Sequence, residues 1–171
     1  MNFQVLYILC GYPFAGKSTL TKELIDQFGF SLVGIDEINR ERGVGQSTGV
    51  AVTPEEWDKT YRQAYKRIEQ LLGKGKSVIY DATNFTKEQR DIPRKIAQKY
   101  NVATKLLFVD VPKEIVYQRL QENRKTNSRF DVRDEDFAQV VDNFQKPSDD
   151  ENVLIFDGSI PMVDWILQVI H

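Results

Sequence analysis

One histidine, His171, at the C-terminus, and one cysteine, Cys10, are all this 171-residue chain has of the side chains most used in nucleophilic and metal chemistry. A single C-terminal histidine argues against a His-based catalytic centre and against His-ligated metal. A single cysteine permits no intramolecular disulfide and fits a reducing, cytoplasmic setting. Because Cys10 ends an apolar run, it reads as a small core residue rather than a reactive thiol. Excess charge is missing too: 23 basic against 25 acidic residues leave a net charge of −2, so no global field draws the chain to nucleic acid. A local basic groove is still compatible with that balance. No apolar run approaches the roughly 20 residues of a membrane helix, so no membrane partner is expected. The N-terminal apolar run lacks a basic region before it and leads straight into glycines, which marks a core strand rather than a signal peptide. Repeats, low-complexity tracts and Pro/Ser-rich linkers are absent, and the length suits one domain over residues 1–171.

What the chain does hold is Gly11-Tyr12-Pro13-Phe14-Ala15-Gly16-Lys17-Ser18, a complete G-x-x-x-x-G-K-S phosphate loop followed by Thr19. Phe3–Cys10 before it has strand character, and Leu20, Leu24 and Ile25 after it share a helical face. Strand, glycine loop and helix form the context such a cradle requires. Its backbone N–H groups turn toward phosphate oxygens, and the helix start adds partial positive charge. Residues Gly11 to Thr19 are therefore the expected nucleotide-binding segment. Lys17 is expected at the β- and γ-phosphates, with the Ser18 hydroxyl on Mg²⁺. The ligand predicted is a nucleoside triphosphate, ATP by preference.

Apolar runs alternate with helical patterns along the rest of the chain. Phe30–Ile35 reads as a second strand ending at Asp36, Val78–Tyr80 as a third ending at Asp81, Lys105–Val109 as a fourth ending at Asp110, and Val153–Phe156 as a fifth ending at Asp157. Thr53 with Glu56, and Thr86 with Gln89, read as capping boxes that open helices. Pro93 predicts a kink or a late start in the second of these. Pro112 opens a helix through Leu120, another spans about Asp134–Phe144, and Ile160–Ile170 closes the chain. Alternation of this kind predicts parallel strands with right-handed crossovers: an α/β protein, specifically a three-layer α/β/α sandwich with a five-stranded parallel sheet. Ligands then bind at the carboxyl ends of the strands, where all four aspartates fall. Val78-Ile79-Tyr80-Asp81 has the form of a Walker-B strand, making Asp81 a candidate for holding Mg²⁺ through water. Asp110 and Asp157 read as strand-end caps or rim residues.

The phosphate loop, Ile35-Asp36-Glu37-Ile38 and Asp81-Ala82-Thr83-Asn84 together resemble a branch of P-loop kinases that includes polynucleotide kinases, zeta-toxin-type kinases and small predicted kinases. The resemblance implies that Asp36 is the general base for an acceptor hydroxyl, with Thr83 and Asn84 near the substrate. The family carries an arginine three positions after that base. Here that position is Asn39, and Arg40 stands one later. On a helix one residue turns the side chain by about 100°. Either Arg40 reaches the same place from a different turn, or the chain reads no acceptor phosphate there. A small-molecule acceptor is therefore favoured over a polynucleotide. Arg42 is either a substitute for that arginine or a solvated helix-end charge, with the second reading favoured.

Arg119, Arg124, Arg129 and Arg133 lie among polar Asn123, Thr126, Asn127 and Ser128. One reading is a solvated surface. The other is a helical lid over about residues 123–133 whose guanidinium groups meet the transferring phosphoryl, a role suited to arginine's planar, permanently charged fork. Arg124 and Arg129 match the family's lid arginines best. Pro147 and the acids through Glu151 end the segment without an assigned role. Trp57, Tyr61 and Tyr65 with the Gly43–Gly49 stretch border the expected acceptor pocket or belong to the core. The function expected is transfer of the γ-phosphate of ATP, with Mg²⁺, to an acceptor hydroxyl. The alternative is a nucleotide-binding switch or sensor without phosphotransfer, against which stand the missing Asn-Lys-x-Asp and LSGGQ-like motifs.

Overall fold

The computed structural model describes residues 4–45, 52–129 and 131–170. Phe3, the 46–49 part of the glycine-bearing stretch, Phe130 of the arginine segment and His171 lie outside the described residues. Five strands, β1 (Val5–Cys10), β2 (Ser31–Gly34), β3 (Val78–Asp81), β4 (Ala103–Val109) and β5 (Val153–Phe156), form one parallel sheet in the order β2-β3-β1-β4-β5. Every residue of β1 is buried, as a central strand covered on both faces must be.

Alternate residues of the strands feed two separate cores. Leu6, Ile8, Val33, Tyr80 and Leu106 pack on one face against α2 (Ile35–Arg42), α3 (Pro54–Gly73) and α4 (Lys87–Lys99). Tyr7, Leu9, Ile79, Leu107 and Val109 pack on the other against α1 (Lys17–Phe28), α5 (Lys113–Thr126), α6 (Asp134–Asp142) and α7 (Met162–Val169). This is the expected three-layer α/β/α sandwich. None of these helices is long and apolar enough to cross a membrane.

Local chemistry sets the boundaries, and several differ from the sequence pattern. Strand β2 stops at Gly34, so Asp36 stands in the first turn of α2 rather than at a strand end. Asp36 and Glu37 are favourable there against the helix dipole, which is why the chain turns helical at once. Helix α5 continues beyond Leu120 to Thr126, taking in Asn123 and Arg124, and stops at Asn127 in the left-handed conformation (φ 50°). Helix α4 neither starts late nor stops at Pro93, which is buried within it. Its capping box is complete: the Thr86 hydroxyl accepts from the Gln89 N–H (3.2 Å) and the Gln89 side chain accepts from the Thr86 N–H (3.4 Å). Thr86→Ala is accordingly expected to lower stability by about 1 kcal/mol, read as a lower urea midpoint at unchanged slope. The Thr53 box is only half made. Thr53 accepts from the Glu56 N–H at 3.2 Å, but the Glu56 carboxylate turns to Arg42 and Lys59.

Candidate active site

The phosphate loop leaves β1 through Gly11, whose φ of 151° no side chain adopts readily. A Cβ there would come within 2.8 Å of the Val109 carbonyl, so the loop can lie against β4 only because the residue is glycine. Its amide donates to the Thr83 carbonyl (3.2 Å), tying the loop to the segment after β3. Helix α1 begins at Lys17 behind Gly16, and Ser18 and Thr19 are exposed at its start.

Lys17 is buried, and its ammonium donates to the carbonyls of Gly11 (3.0 Å) and Tyr12 (2.7 Å). Burial lowers its pKa, opposed by the charges of Asp81 and Asp36; Arg129 pushes in the same direction as burial. Three other charged groups predicted for the site, Asp81, Asp36 and Arg129, thus act on Lys17. Asp81, at the end of β3, accepts from the Thr21 hydroxyl at 2.9 Å. Desolvation raises its pKa, with Lys17 and Thr21 opposing. A carboxylate penalised in this way, lining the same cleft as the exposed Ser18, suits a hard cation that takes oxygen ligands. Among the described residues no group of three or more His, Cys, Asp or Glu could hold a metal alone. A cation here fits the Mg²⁺ pattern, in which one or two protein oxygens share the ion with phosphates.

A cleft of about 340 Å³ opens between α1 and α2, lined by Ser18, Lys22, Asp36, Glu37, Arg40 and Asp81 among others. Asp36 is exposed and makes no ion pair among the described residues. Its charge also reaches Tyr61, whose hydroxyl is pushed up to about 12 by burial, then by Tyr65 and Asp36. Asn39 points elsewhere: it is buried and accepts from the Thr60 hydroxyl (2.6 Å), locking α2 to α3. Arg40 is therefore the arginine that shares the cleft with Asp36. Arg42 is not a solvated charge but binds the Glu56 carboxylate, the Glu56 carbonyl (2.8 Å) and Thr60. Trp57, Tyr61 and Tyr65 form a row of ring contacts that ends on Tyr80, against the core of the sheet.

The arginine segment divides. Arg129 stacks over the Phe14 ring at 4.3 Å, on the phosphate loop itself. Arg119 donates to the carbonyls of Phe14 (2.9 Å) and Ala15 (3.1 Å). The Arg124 guanidinium is instead committed to Asp131 (3.0 Å), Asp134 (2.7 Å) and the Val132 carbonyl (3.0 Å), bracing the α5–α6 connection. Arg133 pairs with Asp136 at 2.8 Å. Asp110 pairs with Lys146 (3.0 Å), and Asp157 accepts from the Ser159 N–H (2.9 Å).

Thr83 is partly buried in the loop after β3. Asn84 is buried with φ 46°, and its amide donates to the Leu9 carbonyl at 2.7 Å. Cys10 below it donates to the Asn84 carbonyl (3.4 Å), and burial pushes the thiol up to about 12, so it stays protonated. Three residues bound to this site carry no role in the sequence reading: Thr21, Arg90 and Glu151, the last placed there only at the end of the arginine segment. Thr21 was legible as the residue one turn after Ser18 on the same helix face. A charged residue within a helix pattern reads as solvated, so nothing marked Arg90.

A family model described as "AAA domain" matches residues 6–147. A "Bifunctional polynucleotide phosphatase/kinase" of Schizosaccharomyces pombe is 27% identical over 127 residues, covering 71% of this chain but only 26% of that protein. The chain thus matches about a quarter of the length of that relative. A "Shikimate kinase" of Persephonella marina is 29% identical over 144 residues, covering 77% of this chain and 83% of that one. Among solved structures, a putative kinase from Chloroflexus aurantiacus superposes with a TM-score of 0.73 at 18% identity, over 98% of this chain and 96% of its own. Kti12 of Chaetomium thermophilum, solved with ADP-AlF3, gives 0.74 at 16% identity, over 95% and 94%. At such identities the structural likeness shows the fold. With its model matched over most of the sequence, the chain belongs to the AAA domain (AAA_33) family of P-loop kinases.

Proposed function

We propose that this protein is a cytoplasmic Mg-ATP-dependent kinase that moves the γ-phosphate of ATP to a hydroxyl of a small-molecule acceptor. The observation that carries the reading is Asp36. It is an exposed carboxylate without an ion pair among the described residues, on the cleft, close enough to Lys17 and Asp81 for their charges to interact. In that position it takes the acceptor's proton as the oxygen attacks the γ-phosphorus. The P–O bond to the β-phosphate then breaks, and ADP leaves. Lys17 and the loop amides from Gly11 to Thr19 hold the phosphates, while Arg129, with Arg119 beside it, faces them from the lid over residues 123–133. Arg124 holds the lid together through Asp131 and Asp134 and acts on the reaction through Arg129. Mg²⁺, held by Ser18 and Asp81, offsets phosphate charge when bound.

A place in the polynucleotide-kinase and zeta-toxin-like branch is supported by Asp81-Ala82-Thr83-Asn84. Two points support a small acceptor over a polynucleotide. Asn39 is turned into the α2–α3 contact, leaving Arg40 as the only basic group α2 adds to the cleft lining. The shikimate kinase relative also matches this chain over most of its own length. Thr83 and Asn84 act from behind the cleft lining, on the loop that follows Asp81, where Asn84 braces the Leu9 carbonyl.

The test is ADP production from Mg-ATP against 5′-hydroxyl oligonucleotides, nucleosides, sugars, polyols and aminosugars. Stimulation by a small hydroxyl compound, with none by oligonucleotides, is expected. Tight ATP binding that no acceptor stimulates would move the protein to the class of nucleotide sensors.

A further inference from the structure

Arg90 and Glu151 form the most deeply buried ion pair among the described residues. Arg90 Nε and Nη2 donate to the two carboxylate oxygens at 2.7 and 2.9 Å, and the side chains are 1% and 0% exposed. Stability alone does not account for such a pair, because desolvating two charges offsets most of their attraction. Its particular feature is the remaining nitrogen. Nη1 donates to the carbonyls of both Asn84 (3.0 Å) and Gln145 (2.9 Å). One guanidinium therefore joins two backbone segments with different tasks.

Asn84 closes the loop after β3, which is bound to the stem of the phosphate loop through Leu9, Cys10 and Gly11. This loop is not held by its own conformational preference. Asn84 has a positive φ, and its Oδ1 is buried without a hydrogen-bond partner among the described residues. Gln145 belongs to a strap that crosses the carboxyl edge of the sheet. Val141 packs on the face of α1, α5 and α7, whereas Phe144 packs on the face of α3 and α4. The Phe144 ring lies 4.6 Å from that of Tyr12 in the phosphate loop. The Gln145 N–H donates to the Phe85 carbonyl, and Gln145 Oε1 accepts from the Lys87 N–H, both at 2.8 Å.

We infer that Arg90 is a positioning residue that fixes the Asp81–Asn84 loop and the 143–151 strap to each other. Glu151 anchors the guanidinium in the orientation this needs. The loop after β3 and the chain returning from the arginine segment then shift together rather than independently. The kinetic consequence rests on the kinase reading above; the mechanical one rests on the geometry alone.

An Arg90→Met/Glu151→Met variant removes both charges at similar volume, a replacement that buried pairs often tolerate. It is expected to bind a fluorescent ATP analogue within about threefold of the parent while kcat with the acceptor falls at least about tenfold. Arg90→Lys keeps a charge for Glu151 but lacks the planar fork that serves two carbonyls, and its kcat is expected to fall between the two. Should the double variant fail to fold, Arg90→Lys carries the same readouts. Amide hydrogen exchange is read on the same proteins, whether or not an acceptor has been found. Protection at Gln145 and Lys87 should fall at least about tenfold in either variant, while the amides of α1 keep theirs. Unchanged protection at those two amides overturns the inference. So does lost protection with kcat still within twofold of the parent, or a loss of kcat matched by an equal loss of nucleotide affinity. A parent protein inactive with every acceptor counts against the kinase reading only, and the exchange result then decides the coupling by itself.

Discussion

Lys17→Ala is expected to reduce phosphotransfer by at least about 10²–10³, to the limit of detection in a coupled ADP assay. The ammonium is held in place by the Gly11 and Tyr12 carbonyls, inside a buried site where charge acts at low effective dielectric. The two arginines that touch the phosphate loop do not replace that charge. Arg119 is bound to loop carbonyls and Arg129 lies over the Phe14 ring. The substitution also takes from Asp81 the charge that most opposes its desolvation, so its carboxyl pKa rises further and its hold on a cation weakens. Folding should suffer little by comparison, since burial already disfavours the charged lysine. A folded-state lysine pKa below its unfolded value means that the ionised form costs stability at neutral pH. Thermal unfolding with and without a nucleotide analogue separates the two effects. Turnover at the parent rate in the Ala variant would contradict the phosphate role outright.

Asp36→Asn is expected to leave ATP affinity within about threefold of the parent while acceptor phosphorylation falls by about 10²–10⁴, the usual contribution of a general base. The replacement is nearly isosteric and exposed in the first turn of α2, so the fold should tolerate it. Loss of the negative charge near the helix start costs about 0.3–1 kcal/mol of stability, too little to explain such a fall in rate. Titration with a fluorescent nucleotide in the presence of Mg²⁺, beside steady-state kinetics, distinguishes the possible roles. If ATP binding collapses with the rate, Asp36 belongs with Ser18 and Asp81 around the cation, and the proton acceptor lies elsewhere.

Much of the architecture was legible in the sequence because its signals are local. The phosphate loop is contiguous, each strand is an apolar run, and the Thr86–Gln89 capping box spans one helical turn. The boundaries that differ from the sequence pattern have local causes too. Gly34 caps α2 with backbone alone, so no side chain announced that β2 ends before Asp36. Asn123 looked like loop because it is polar. Its side chain, buried on α5, donates to the Arg129 carbonyl (2.9 Å) and accepts from the Arg129 N–H (2.9 Å), partners that only the returning chain supplies.

The sequence by itself determined that this chain carries a phosphate loop between a strand and a helix, and that aspartates lie at or just past the carboxyl ends of β2 to β5. Periodicity and contiguous motifs encode both. Only the tertiary structure decided which arginine faces the loop, because Arg119, Arg124 and Arg129 are chemically alike and differ in the partners that folding brings to them. The same is true of Asn39 and Arg40, one residue apart on α2, where Thr60 of α3 takes the first and the cleft receives the second. Arg90 and Glu151 stand 61 positions apart and become one unit only when α4 and the strap before β5 meet. A long-range charge pair leaves no periodic trace in the chain, so packing alone reveals it.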